Sequence, residues 1–219
     1  MAQGNGYNVI LCNTDEDAAK ETQYLRVLME KRVDGIILAT TAGSRQIVRD
    51  VRWRRIPLVL FDRELPGVAT DLVKVDGVAG GRLATEHLLR LGHRRIAIIH
   101  GPVVRSTGAE RLQGYLDALR AAGLQPDPAL IREGNFKQDS GRELARQLLE
   151  VSPPPTALFC TNNLMTVGAL QTLGERGVRM PADLSLIGYD DMEGWTLPHP
   201  PLTTVGQPVY ELGREAMRL

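Results

Sequence analysis

Ile96-Ala97-Ile98-Ile99-His100 is an apolar run that ends on a polar residue, and it lies between two stretches with helical periodicity. Other short runs of this kind cover residues 9–12, 36–39, 57–61, 72–75, 156–160 and 184–188. Most of these runs are apolar throughout, which is typical of central strands that helices cover on both faces. Strands that alternate with helices predict an α/β fold with parallel sheets.

The segments between the runs carry apolar residues at helical spacing. Predicted helices cover residues 15–32, 76–91, 107–122, 139–151 and 162–176, and residues 209–219 form a further amphipathic segment. Gly92, Gly123 and Gly177 follow three of the helices, at a position where glycine commonly ends a helix. The pattern therefore predicts helices of ordinary length joined by short turns.

Composition excludes several classes of protein. The 219 residues are 43% apolar and 24% charged, which fits one large globular domain or two smaller lobes. The formal net charge is zero, and the arginines are spread along the chain, which argues against a stand-alone nucleic-acid-binding domain. Cys12 and Cys160 lie in separate apolar runs, so we expect no disulfide framework. The chain shows neither a membrane span nor a secretory signal, and we expect a cytoplasmic protein.

Signatures of catalysis are missing from the sequence. It contains no nucleophile elbow, phosphate-binding loop or dinucleotide-binding motif. The adjacent pair Asp190-Asp191 is poorly placed for acid–base work, because neighbouring side chains diverge, and the four histidines lack the spacing of metal ligands. We therefore expect no catalytic residues, no metal and no cofactor.

Polar residues recur where the apolar runs end. Asp62, Asn162 and Asp190 each follow such a run, Arg111 lies early in the helix after Ile96-Ala97-Ile98-Ile99-His100, and Phe136 follows Asn135. The carboxyl ends of parallel strands line the ligand crevice of an open α/β sheet. Carboxylate, amide, guanidinium and aromatic groups together suit a small polyhydroxylated ligand. Each residue alone is equally well explained as a helix or turn cap, and their repetition favours a site.

Five motifs carry a family resemblance. They are Gly92-His93-Arg94-Arg95-Ile96-Ala97, Arg111-Leu112-Gln113-Gly114-Tyr115, Thr161-Asn162-Asn163-Leu164-Met165-Thr166-Val167-Gly168-Ala169-Leu170, Gly188-Tyr189-Asp190-Asp191 and Pro200-Pro201-Leu202-Thr203-Thr204-Val205. In order and spacing they closely resemble the core of LacI/GalR-family transcriptional regulators, over essentially the whole chain. The resemblance departs at Asn163, where the family pattern has an aspartate.

The resemblance implies a two-lobed, periplasmic-binding-protein-like fold of type I that closes on a small molecule. The N-terminal lobe would comprise residues 1–74 and 207–219, and the C-terminal lobe residues 75–206. Arg111 and Asp190 would be the polar anchors, Asn162 and Gln207 supporting hydrogen-bonding residues, and Phe136 the stacking wall. Thr40 and Thr41 are further candidates. The full set of ligand positions implied is Asp62, Thr107, Arg111, Phe136, Asn162, Asp190 and Gln207.

The function implied is effector binding and dimerisation in a bacterial regulator, a repressor, whose small polar ligand shifts its affinity for operator DNA. A sugar or sugar derivative is the main expectation for the ligand, and a purine is the minority one. Nothing in the chain resembles the helix-turn-helix domain of such regulators, and we expect the chain to lack that domain, the first strand of the core and its last elements. A sugar-binding protein of transport or chemotaxis is the alternative, and an enzyme on a related scaffold is a third class.

Overall fold

The computed structural model describes residues 2–41, 43–196 and 201–219. Its contacts divide the chain into two compact units, Met1–Val75 with Pro208–Leu219, and Asp76–Gln207. Each unit is a parallel sheet with helices packed against it, so the predicted α/β class is confirmed. No helix within the described ranges is long and apolar enough to cross a membrane.

The first unit contains a three-stranded parallel sheet in the order β1-β2-β3. Register pairs Ile36 with Leu58 and Val59 with Asp71. One core cluster joins β1 and β2 to the first two helices through Leu25 and Val48. The elements are α1 (Ala18–Glu30), β1 (Ile36–Leu38), α2 (Arg45–Trp53), β2 (Leu58–Phe61), β3 (Asp71–Val73) and α7 (Val209–Ala216).

The second unit contains a five-stranded parallel sheet in the order β5-β4-β6-β7-β8. Consecutive strands are joined through helices, except β7 and β8, whose connection includes the 3-10 turn Glu193–Thr196. Pro200 of the last family motif lies outside the described residues. The elements are α3 (Gly77–Arg90), β4 (Ile96–His100), α4 (Ser106–Ala121), β5 (Ile131–Glu133), α5 (Gln138–Leu149), β6 (Ala157–Cys160), α6 (Asn163–Glu175), β7 (Ser185–Tyr189) and β8 (Thr203–Val205).

Helices cover both faces of the central strands in the second unit. Every residue of β4 and β6 is buried, because alternate side chains enter two different clusters. Ile98 packs with α3 and α4 side chains such as Leu88 and Tyr115, whereas Ile99 packs with α5 and α6 side chains such as Leu148. This two-sided burial explains why these runs are apolar throughout.

Glycines set the contact between α3 and α4. A Cβ built at Gly81 would lie 2.2 Å from the carbonyl oxygen of Arg111, and one at Gly114 would lie 2.1 Å from the carbonyl oxygen of Val78. The two helices therefore meet backbone to backbone. The glycines fix the depth at which α4 packs, and with it the position of Arg111.

Residues 9–12 are not a strand, contrary to prediction. Val9, Ile10 and Leu11 are exposed, and the segment joins neither sheet. An apolar run becomes a strand only when its N–H and C=O groups pair with a neighbour, and no described strand pairs with this one. An apolar run alone does not show whether a partner strand is present.

Helix α1 begins three residues later than predicted. Asp15 and Glu16 have left-handed backbones, and Asp17 is the N-cap, with its carboxylate accepting hydrogen bonds from the backbone N–H groups of Ala19 and Lys20. The sequence therefore predicts correctly that a carboxylate opens this helix, but only Asp17 does so, and Asp15 and Glu16 precede it. The sequence pattern did not predict α2, β5 or β8, while the remaining elements lie within two or three residues of their predicted bounds.

Candidate functional site

The second sheet has a point at which its strand order reverses. From β4 the chain moves outward to β5 and then returns to β6, on the other side of β4. Loops that leave two such strands run in opposite directions, so a crevice opens between their carboxyl ends. Six of the seven predicted ligand residues follow the carboxyl ends of strands in this sheet, namely Thr107, Arg111, Phe136, Asn162, Asp190 and Gln207.

Arg111 spans the reversal point. It lies in the second turn of α4, after β4, and is only 4% exposed. Its Nη1 donates a hydrogen bond of 2.6 Å to the carbonyl oxygen of Thr161, after β6, and its guanidinium carbon lies 3.8 Å from the centroid of the Tyr189 ring. The cation is thus held by a carbonyl and a ring face. Its Nε is buried and has no hydrogen-bond partner in the described part of the chain.

Two buried hydroxyls follow the same two strands, β4 and β6. Thr107, in the first turn of α4, and Thr161, directly after β6, both have an Oγ1 that finds no hydrogen-bond partner among the described residues. Thr161 is missing from the sequence-derived set, although it precedes Asn162 directly and follows a buried strand. An unpaired buried hydroxyl is costly, so such atoms mark places where a ligand group would be favourable.

The side chain of Asn162 is hydrogen-bonded to the backbone of Phe136. Phe136 has a left-handed backbone with φ of 64°, and a Cβ at Gly101 would lie 2.0 Å from its ring. Asn162 is the N-cap of α6, where its Oδ1 accepts a hydrogen bond of 3.0 Å from the N–H of Met165. Its Nδ2 donates to the Phe136 carbonyl at 3.1 Å. Asn162 therefore both caps α6 and links it to the loop of Phe136, and its contact with a ligand stays a prediction.

Hydrogen bonds fix both the backbone and the carboxylate of Asp190. It follows β7 with φ of 72°, its N–H donates to the Val205 carbonyl at 3.0 Å, and its own carbonyl accepts from the Trp195 indole at 2.9 Å. Gln207 Nε2 donates to Oδ1, and the backbone N–H of Asn163 donates to Oδ2 at 3.4 Å. The structure thus brings Asp190 and Gln207 together.

His100 closes β4 beside the site as a neutral group. Its Nδ1 donates to the Gly101 carbonyl at 2.7 Å, which leaves Nε2 as an acceptor. Burial lowers the pKa of His100, and the Gly101 bond and the charge of Glu133 offset part of that effect. The imidazole is therefore uncharged at neutral pH.

The remaining predicted residues belong to the first unit. Asp62 follows β2 with φ of 62°, and its N–H donates to the Val73 carbonyl at 2.8 Å, so its contact with a ligand stays a prediction. Thr40 Oγ1 and the Thr41 N–H donate to the buried carboxylate of Glu21, at 3.1 and 2.8 Å. Sequence reasoning missed Glu21, which is an acidic residue inside an amphipathic helix.

Metal chemistry receives no support from the described ranges, which contain no group of three or more His, Cys, Asp or Glu side chains that could hold an ion. The candidate residues of the second unit instead comprise one cation, one carboxylate, two buried hydroxyls and the ring of Phe136, which lies in a core cluster. Such a set can orient a small ligand that has several polar groups and an apolar face.

The family model described as periplasmic binding proteins and sugar-binding domain of the LacI family matches residues 1–219. The chain belongs to this family. Two similar relatives are the HTH-type transcriptional repressor PurR of Haemophilus influenzae and the HTH-type transcriptional regulator DegA of Bacillus subtilis. Each is 38% identical, over 217 and 216 residues, or 98% and 97% of this chain. The chain spans 64% of the length of each of them.

Solved structures of transcription regulators have the same fold. The regulator CcpA of Lactococcus lactis is 31% identical, with a TM-score of 0.90 over 99% of this chain and 79% of that one. The complex of the regulator CelR with cellobiose is 35% identical, with a TM-score of 0.87 over 99% of this chain and 66% of that one. These likenesses confirm the family resemblance of the sequence and the two-sheet architecture.

Proposed function

We propose that this LacI-family chain is the effector-binding part of a bacterial transcriptional repressor and that it binds a sugar or a sugar derivative. The observation that carries the proposal is the set of buried polar atoms without hydrogen-bond partners that follow β4 and β6, where the second sheet reverses: Nε of Arg111 and Oγ1 of Thr107 and Thr161. Each unpaired buried group costs about 1–3 kcal/mol. A ligand that supplies hydroxyl groups to them recovers that free energy on binding.

The chemistry of the site favours a polyhydroxylated ring. Guanidinium donates and carboxylate accepts, so Arg111 and Asp190 together serve adjacent hydroxyls, while the ring of Phe136 suits the apolar face of a sugar. Two regulators of this fold support the same class, since one was solved with cellobiose and another, from Escherichia coli, is named a sugar-binding regulator. A purine is the minority alternative, in which Phe136 would stack on the base.

The rest of the proposal concerns the whole regulator. We propose a cytoplasmic homodimer that binds operator DNA through a separate helix-turn-helix domain, as the names of the HTH-type relatives suggest. The effector would change operator affinity by binding one conformation better than another, with a coupling free energy of about 1–3 kcal/mol. The relatives favour this function over transport or chemotaxis, and we propose binding without turnover.

A thermal-shift screen against sugars, sugar phosphates and nucleobases identifies the ligand class, because a bound ligand raises the melting temperature by mass action. Calorimetry with the best ligand then compares Arg111→Ala with Gln113→Ala, an exposed residue on the same helix. We expect Arg111→Ala to lose binding and Gln113→Ala to keep wild-type affinity. Wild-type affinity in Arg111→Ala would reject the site, and operator binding by the full-length regulator that ignores every ligand of this chain would reject the function.

Thr161→Val separates binding from folding. Valine keeps the shape of the side chain and removes a hydroxyl that has no partner in the described structure, so we expect unchanged or slightly higher stability and weaker ligand binding. Thr166→Val is the matched control, because Thr166 Oγ1 donates to the Asn162 carbonyl at 2.6 Å and its loss should lower stability. A destabilised Thr161→Val with normal affinity would contradict the assignment.

A further inference from the structure

The zero net charge of the chain conceals a strongly basic segment. Residues 45–55 contain five arginines and one carboxylate, a net charge of +4. In α2 the buried side chains are Ile47, Val48 and Val51, so the opposite face of the helix points to solvent. Arg45, Arg49 and Arg52 recur at intervals of four and three residues on that exposed face.

Arg55 extends this line beyond the end of the helix. It has a left-handed backbone, and its N–H donates to the Arg52 carbonyl at 2.8 Å. Arg52 and Arg55 both line a surface cavity of about 620 Å³ at the amino ends of β2 and β3, with Thr70 and Asp71 in its wall. We name Arg45, Arg49, Arg52 and Arg55 the arginine row.

The arginine row makes no ion pair with any carboxylate of the described residues. Many other arginines of the chain do form such pairs, for example Arg63 with Glu16 and Arg142 with Glu175. Trp53, beside the row, is 86% exposed. The row therefore presents guanidinium groups without an ion-pair partner among the described residues, next to an exposed indole.

Helix stability does not explain the arginine row. Cations favour the last turn of a helix, where they meet the negative end of the dipole, and this accounts for Arg52. Arg45 is instead the first residue of α2, which has no acidic residue in its first turn, so its charge opposes the dipole. Spacings of four and three residues also bring like charges together along the row.

We propose that the arginine row binds the phosphate backbone of double-stranded DNA. Guanidinium groups match phosphate oxygens in a bidentate geometry, and the row from Arg45 to Arg52 extends over about 10 Å of helix. A DNA strand presents a phosphate about every 3.4 Å along its axis, so several phosphates lie within reach of the row. The contact is independent of base sequence and adds to whatever a separate DNA-binding domain contributes.

The test measures fluorescence anisotropy of a labelled 24-base-pair duplex of arbitrary sequence with the 219-residue chain, in about 25 to 200 mM NaCl. We expect weak binding, with log affinity falling against log salt at a slope of about −3, as three or four neutralised phosphates require. Arg49→Glu combined with Arg52→Glu should weaken binding at least about tenfold at the lowest salt and reduce the slope by about two.

Arg26→Glu combined with Lys31→Glu is the control, since both residues are exposed on α1 or at its end and the charge change is equal. We expect this pair to keep wild-type DNA affinity, with circular dichroism confirming the fold of both variants. Absence of wild-type binding at 25 mM NaCl, or equal losses in both pairs, would overturn the proposal. Tighter binding of poly-glutamate than of DNA would assign the row to an acidic protein instead and would also overturn it.

The DNA-binding test of the arginine row and the ligand-binding test of the proposed effector site give independent results. The Arg49 and Arg52 variant should keep ligand binding, and Arg111→Ala should keep the DNA affinity of the chain. Loss of ligand binding without loss of DNA binding therefore bears on the effector site alone, and the converse bears on the arginine row alone.

Discussion

Replacing Gly81 by alanine should lower the stability of the second unit and weaken its ligand site together. The new Cβ would lie 2.2 Å from the Arg111 carbonyl oxygen, so α3 and α4 must separate by about 1 Å. Such overpacking costs about 1–3 kcal/mol, whereas alanine in place of glycine inside a helix regains about 0.5–1 kcal/mol. Overpacking is the larger effect, and we expect a net loss of about 1–2 kcal/mol.

Tryptophan fluorescence during urea unfolding measures this loss. The chain has two tryptophans, and Trp195 is buried in the second unit while Trp53 is exposed in the first, so the change in emission reports mainly the second unit. Gly174→Ala is the matched control, because Gly174 lies in α6 and a Cβ there meets nothing within 4 Å. We expect that control to be more stable by about 0.5–1 kcal/mol.

The separation of α3 and α4 in Gly81→Ala should also move Arg111 in the candidate ligand site. A shift of about 1 Å in α4 disrupts the 2.6 Å bond from Arg111 to the Thr161 carbonyl, so ligand affinity should fall in Gly81→Ala and stay unchanged in Gly174→Ala. If Gly81→Ala were as stable as the wild type and bound ligand normally, the depth of helix packing would not control Arg111.

Three further predictions follow from buried groups. Tyr115→Phe removes a 2.7 Å hydrogen bond to the Ile96 carbonyl and should cost about 1–2 kcal/mol in urea unfolding; an unchanged midpoint would contradict this. Cys160 is fully buried and burial raises the pKa of its thiol, so a disulfide reagent should modify Cys12 first and Cys160 only after unfolding. Equal modification rates of the two cysteines in the folded protein would contradict this. Burial also lowers the pKa of His100, so the unfolded chain takes up a proton at higher pH than the folded chain does. The stability of the protein should therefore fall as the pH drops below about 6.5, and it should fall less in His100→Asn. Equal losses for both proteins in pH-dependent melting would contradict this.

Much of the second unit could be predicted because its strands have unambiguous patterns. The runs around Ile98 and Phe159 are apolar throughout since both faces are covered, and glycines mark the helix ends. The strand at residues 131–133 was missed because it is short and carries Arg132 and Glu133 at the edge of the sheet. Helix α2 was missed because its arginines obscure an apolar face of only three residues.

The sequence predicts the positions of the candidate site but not the contacts among them. The polar residues after each strand were visible, since the carboxyl edge of a parallel sheet follows from the alternation of strands and helices. The Arg111–Thr161 bond was not visible, because a backbone carbonyl leaves no trace in residue identity. The carboxylate of Glu21 was hidden for a related reason, since only the fold shows that its partners are Thr40 and Thr41.

The two contacts of the Asn162 side chain limit how the proposed ligand site can be redesigned. One end of its side chain starts α6 and the other holds the Phe136 carbonyl, so a substitution there disturbs two loops at once. Thr107 and Thr161 are hydrogen-bonded to neither loop through their hydroxyls in the described structure. A saturation library aimed at a new effector should therefore vary these two threonines and keep Asn162 constant. Substitutions at the threonines can change the groups presented to a ligand while the loops retain their shape.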